Sequence, residues 1–128
     1  MEQRIRVLLA DDRPHSRKGL RALLATWAEV EVIGEAANGR EAVRLVEELC
    51  PDVVLMDAKM PVMDGLEATR LVKESWPEIK VIVLTIDSSY RAKSLAAGAD
   101  TFVGKGDPPG RLLEAILSVH RGGDTDHV

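Results

Sequence analysis

The sequence predicts an α/β fold: a doubly wound, five-stranded parallel sheet with five helices. Three observations predict it. Short apolar runs alternate with amphipathic stretches five times along the 128 residues. The runs are apolar throughout rather than at every second position, as strands covered on both faces are. Short connections with right-handed crossovers then make an open doubly wound sheet the simplest result.

The elements follow in order. "IRVLLA" (5–10) is a buried strand. "PHSRKGLRALLATWAEV" (14–30) places Leu20, Leu23, Leu24 and Trp27 at helical spacing, with Pro14 suited to a first turn. "EVEVIGEA" (29–36) alternates like a strand. Asn38 with Glu41 three residues on resembles a capping box opening a helix over 38–49. "DVVLMD" (52–57) is the third strand, and Asp64 with Glu67 repeats the cap before "LEATRLVKES". "KVIVLT" (80–85) is the fourth strand, 88–98 a weaker helix of small residues, and "TFVG" (101–104) a short fifth strand. Asp107 and Pro108 then introduce a helix whose buried face is Leu112, Leu113, Ile116 and Leu117. Residues 1–121 read as one domain and 122–128 as a tail or the start of a linker.

Composition bounds what such a domain does. It is 45% hydrophobic and 30% charged, that of an ordinary soluble globular protein, but only 3% aromatic, so the core must be aliphatic. A net charge of −4 weighs against direct nucleic-acid binding, which needs a basic face. Cys50 is the one cysteine; it reads as a buried, inert thiol, and a reducing, cytoplasmic setting fits it. No apolar run approaches the ~18 residues of a membrane span. His15, His120 and His127 lack metal-ligand spacing and read as surface residues, while Trp27 and Trp76 read as packing residues at element ends.

In sheets of this kind, ligands bind outside the carboxyl ends of the strands. Asp11 and Asp12 follow strand one, Asp57 follows strand three, Thr85 ends strand four and Lys105 follows strand five. If the strand order is 2-1-3-4-5, the order expected of this sheet, strands one and three are neighbours, and the three carboxylates crowd together and repel unless a cation neutralises them. Oxygen-only ligands favour Mg²⁺ (or Mn²⁺), which binds through one or two carboxylates plus phosphate oxygens. A metal and a lysine together make a phosphate site. Asp57, the central carboxylate, is placed to attack phosphorus and become an aspartyl phosphate.

These residues resemble the receiver domain of two-component response regulators, a CheY-like member of the flavodoxin-like folds, over residues 5 to about 121. The resemblance rests on "LLADD", "VLMDAKMPVMDG", "VIVLT" and "FVGK", in order and each at a strand end. The closing "GKGDPPGRLLEAILSVHRGG" is similar to receivers of the NarL/FixJ type of transcriptional regulators, which usually precede a helix-turn-helix DNA-binding domain. The resemblance implies that Asp57 accepts a phosphoryl group from a sensor histidine kinase or phosphotransfer protein. It implies that Asp12 and Asp57 ligate Mg²⁺ directly, Asp11 through water, and Lys59 through its main-chain carbonyl. Thr85 and Lys105 would each bind a phosphoryl oxygen. Phe102 is either a plain core aromatic or the family's aromatic switch. The surface of helix 88–97, strand 101–104 and helix 109–120 would then change partners, with a homodimer as one outcome. Such a domain is a signalling phosphoacceptor that catalyses only its own phosphotransfer and dephosphorylation.

Three positions depart from the family pattern. Ile86 stands where a small residue is usual, and its bulk would narrow access to Asp57. Lys59 would tune hydrolysis, by pairing with Asp87 or with the phosphoryl group. Gly106 replaces a proline that is often cis. Of the rivals, a haloacid-dehalogenase phosphatase wants an Asp where Lys59 stands, and a flavin binder wants a hydroxyl-rich loop where "DDRPHS" is acidic. A receiver that acts purely by protein contact, never phosphorylated, is the remaining alternative.

Overall fold

The computed structural model describes residues 3–122. The strands are β1 (Ile5–Ala10), β2 (Val30–Ala36), β3 (Val53–Met56), β4 (Lys80–Thr85) and β5 (Thr101–Gly104). The helices are α1 (Pro14–Leu24), α2 (Gly39–Leu49), α3 (Gly65–Ser75), α4 (Arg91–Ala96) and α5 (Pro109–His120). All strand pairings are parallel and the order is β2-β1-β3-β4-β5, as expected.

Strand alternation sorts the core into two layers. Leu8, Val54, Met56, Val81, Val83 and Phe102 face α2 and α3, meeting Ala42, Val46, Ala68 and Val72. Val7, Leu9, Val53, Leu55, Ile82 and Val103 face the other way, against Leu24 of α1 and Leu112, Ile116 and Val119 of α5. Both layers are mainly aliphatic, and β1, β3 and β4 bury nearly every residue, which is why their sequences run apolar, whereas the edge strand β2 buries only Val30 and Ala36 and alternates. A register shift between Val7 and Leu8 places Gly34 beside Leu8; a Cβ there would stand 2.9 Å from Leu49 Cδ1.

The caps form as the sequence suggests. Asn38 Oδ1 accepts from Glu41 N at 2.8 Å, and Glu41 returns a carboxylate to Ala37 N. Asp64 Oδ1 accepts from Glu67 N at 2.8 Å. Asp107 does not cap α5; its carboxylate turns back to Gly104 N.

Three expectations need correction. The helix predicted over 14–30 stops at Leu24, because Thr26 Oγ1 and the Thr26 N–H both bond back to Leu23 O and close the last turn. The helix predicted over 88–98 is a 3₁₀ turn, Ser88–Tyr90, followed by a short α4. Asp87 accepts the Ser89 N–H and hydroxyl, which tightens the opening into the 3₁₀ turn. Cys50 is exposed rather than buried: it occupies the left-handed C-cap of α2, φ 48°, where the chain turns outward. The tail lies almost wholly outside the described residues, as does His127.

Candidate functional site

The site is built at the carboxyl edge of β1, β3, β4 and β5. The Asp57 N–H donates to Ala10 O at 2.9 Å and the Asp11 N–H to Ala36 O at 3.0 Å, so both aspartates extend the ladders of their strands. The loop after Asp57 is drawn tightly under α3. The Gly65 N–H bonds Ala58 O at 2.9 Å, and a Cβ on Gly65 would lie 1.8 Å from Asp57 O. Only glycine permits that approach, so "MDG" sets how the acceptor loop is held.

Asp11, Asp12 and Asp57 each offer a carboxylate oxygen, and the three oxygens lie within 4.8 Å of one another. The cluster is a hard, oxygen-only donor set that fits a divalent cation. Its members are not equivalent. Asp11 is buried, and its Oδ1 accepts from Arg13 N at 2.9 Å, its Oδ2 from Ser16 Oγ at 2.6 Å and from Lys105 Nζ at 2.8 Å. Burial pushes its pKa up, but the Lys105 ammonium, the Ser16 hydroxyl and the Arg13 N–H outweigh that and hold it below the ordinary value. Asp12 takes part in no side-chain hydrogen bond or ion pair among the described residues, which leaves its carboxylate free for a cation.

Asp57 is 9% exposed; Lys105 Nζ reaches its Oδ2 at 3.1 Å, while its Oδ1 has only a long 3.4 Å contact from Lys59 N. Thr85 is buried, with its Oγ1 3.5 Å from Asp87 N. Asp12, Asp57, Thr85 and Lys105 line one solvent-open cleft of about 530 Å³ with Arg13, Lys59 and Ile86. That is room for a phosphoryl group and a hydrated cation.

The residues singled out as tuning lie at the rim. Ile86 lines the cleft but is 72% exposed, so its side chain stands in solvent rather than covering Asp57. Lys59 makes no ion pair with Asp87 among the described residues; its ammonium sits 5.8 Å from the centre of the Tyr90 ring, which also carries Lys93 at 5.4 Å. Asp87 has its pKa lowered by the Ser89 hydroxyl and N–H first, and by the more distant Lys59 and Lys93 charges. Phe102 is buried in the α2/α3 layer with the Arg91 guanidinium 5.9 Å from its ring. The described residues contain no cis peptide, so the chain passes from Lys105 to Gly106 in trans. Two participants escaped the sequence reading: Ser16, and Tyr90 between its two lysines. Ser16 lies one turn into the helix after "DD", a spacing that returns its hydroxyl to Asp11.

The family model described as the response regulator receiver domain matches residues 7–117. An uncharacterized transcriptional regulatory protein of Bacillus subtilis, YhcZ, is 42% identical over 120 residues, 92% of this chain and 56% of the relative. The transcriptional regulatory protein DegU of Brevibacillus brevis is 39% identical over 128 residues, 98% of this chain and 54% of the relative. The chain thus spans about half the length of the curated relatives it matches. Among solved structures, a LuxR-family two-component response regulator from Aurantimonas superposes with TM-score 0.88 at 34% identity, covering 94% of this chain and 87% of that one. The receiver domain of the putative response regulator NarL from Mycobacterium tuberculosis gives 0.87 at 30%, covering 94% and 99%. No described helix is long and apolar enough to cross a membrane. The strand order, the acidic cluster with its lysine and these matches agree: the chain belongs to the response regulator receiver domain family, the signal-receiving module of two-component systems.

Proposed function

We propose that Asp57 is the phosphoacceptor and that a sensor histidine kinase or phosphotransfer protein is its donor. The observation that carries this is one ammonium, Lys105, bonded to Asp57 at the mouth of a cleft where the Asp12 carboxylate is free. Asp57 attacks phosphorus as the P–N bond of the phosphohistidine breaks, and the electron pair leaves on the imidazole. An O–P bond to Asp57 replaces it. Asp12, Asp57 and the Lys59 main-chain carbonyl would hold Mg²⁺ (or Mn²⁺), with Asp11 helping through water. The ion would supply positive charge against the phosphoryl oxygens. Lys105 bonds one of those oxygens and the Thr85 hydroxyl another.

The new charge draws Thr85 toward the phosphate. Phe102, buried beside β4, follows it and repacks the α4–β5–α5 surface, where Leu95 stands 45% exposed. That surface serves a homodimer and relays to a DNA-binding output domain, outside these residues, of the kind the regulator relatives suggest. The receiver occupies residues 1–121, works in the cytoplasm, and turns over nothing but its own phosphoryl group. Lys59 slows attack by water on the acyl phosphate, with Asp87 steering it; Ile86 meets the donor at the rim.

The test is intact mass after incubation with a small phosphodonor and Mg²⁺. One added phosphoryl group in the wild type, and none in Asp57→Asn or without metal, is expected. No gain from either a small donor or a cognate phosphohistidine would leave the contact-only receiver as the reading.

A further inference from the structure

Lys105 Nζ has three protons to donate, and all three are used. One goes to Asp57 Oδ2 at 3.1 Å; the other two go to Asp11 Oδ2 at 2.8 Å and Ser16 Oγ at 3.0 Å. Ser16 in turn donates its own proton to Asp11 Oδ2 at 2.6 Å. The hydroxyl therefore closes a three-membered ring of hydrogen bonds: it gives to the carboxylate and takes from the ammonium. Two of the three Lys105 bonds thus lie on the α1 side of the site and one on the acceptor. The side chains of Lys105, Asp11 and Asp57 are only 16%, 2% and 11% exposed, so water competes poorly for these bonds.

The ring opposes cation binding. Asp11 Oδ1 spends one lone pair on the Arg13 N–H, while Oδ2 gives both of its lone pairs to Ser16 and Lys105 and has none left for a cation's hydration water. For Asp11 to serve the metal through Oδ2, Lys105 must first let go of it.

We propose that Ser16 is a positioning residue that holds Lys105 on Asp11, and so weakens the affinity of the site for a divalent cation. This rests on the receiver reading of the same site. Arg17, the next residue of α1, does not take its part, since it spends its guanidinium on the Asp11 main-chain carbonyl and on Glu35.

The test is calorimetric titration of Mg²⁺ into wild type, Ser16→Ala and Ser16→Thr, with no phosphodonor present. Ser16→Ala removes one charge-assisted bond from each partner and should bind Mg²⁺ about three- to tenfold more tightly. Ser16→Thr keeps the hydroxyl and should stay within about twofold of wild type. Ser16 is half-buried on a helix where alanine is well tolerated, so the variant should fold. A purely structural serine would change the melting temperature and leave the Mg²⁺ dissociation constant alone. Unchanged or weaker binding by Ser16→Ala would overturn the proposal. A wild type that takes up no Mg²⁺ at millimolar concentration would instead contradict the receiver reading beneath it.

Discussion

Val62 sits in the acceptor loop at φ 69° and is 72% exposed. A β-branched side chain in the left-handed region costs about 1–2 kcal/mol, and here little burial repays it. Val62→Asn should therefore raise stability by about 1 kcal/mol in urea unfolding. Asp11 gives a second prediction at this scale. Its folded pKa is lowered from 3.8, so the charged carboxylate contributes stability that is full above 3.8 and lost as pH falls through the folded value. The stability advantage of wild type over Asp11→Asn should shrink as pH drops below 3.8. The charged residues of the site were picked out by their shared position at the strand ends, and their roles only by the family resemblance. Cys50 was misread because composition favours burial of a lone thiol, whereas a left-handed cap at the end of α2 decides where the chain turns. Ser16 was missed because a serine in a first helical turn is ordinarily a solvated or capping residue.

Among the elements, α3 is fixed at both ends by features of different legibility. Its start depends on Gly65, and Gly65→Ala puts a Cβ against Asp57 O. A loss of about 3 kcal/mol or more is expected from unfolding curves, with the acceptor loop displaced. Its end depends on Lys73, whose ammonium donates to Pro77 O at 3.0 Å, Ile79 O at 2.9 Å and Asp100 Oδ2 at 3.0 Å. Asp100 also accepts from Val81 N, so one lysine ties α3 to β4 and the start of β5. Lys73→Met should cost about 2 kcal/mol in urea unfolding. The Gly65 turn was readable in "MDG"; the Lys73 clamp joins residues 27 apart, and no local pattern announces it. The same limit explains the helix expected over 88–98. Small residues at helical spacing predicted one helix, but the Asp87–Ser89 bonds, a local competition between side chain and backbone, turned its first residues into 3₁₀.

For the whole molecule, the parallel sheet covered on both faces and its aliphatic core followed from whole-chain patterns of alternation and composition, whereas the strand order was an assumption that the structure bears out. What no pattern could give was the distribution of hydrogen bonds inside the acidic cluster: Asp11 bonded at both oxygens, Asp12 free, Lys105 shared. That distribution supports the proposal that Asp57 is the acceptor, since it is central, bonded to the lysine and open to the cleft. The most direct measurement is to phosphorylate the protein with Mg²⁺ and a phosphodonor, reduce the acyl phosphate with borohydride, and map the altered residue by peptide mass spectrometry. Conversion of Asp57 alone is the predicted result. Conversion at Asp11 or Asp12, with Asp57 intact, would contradict it.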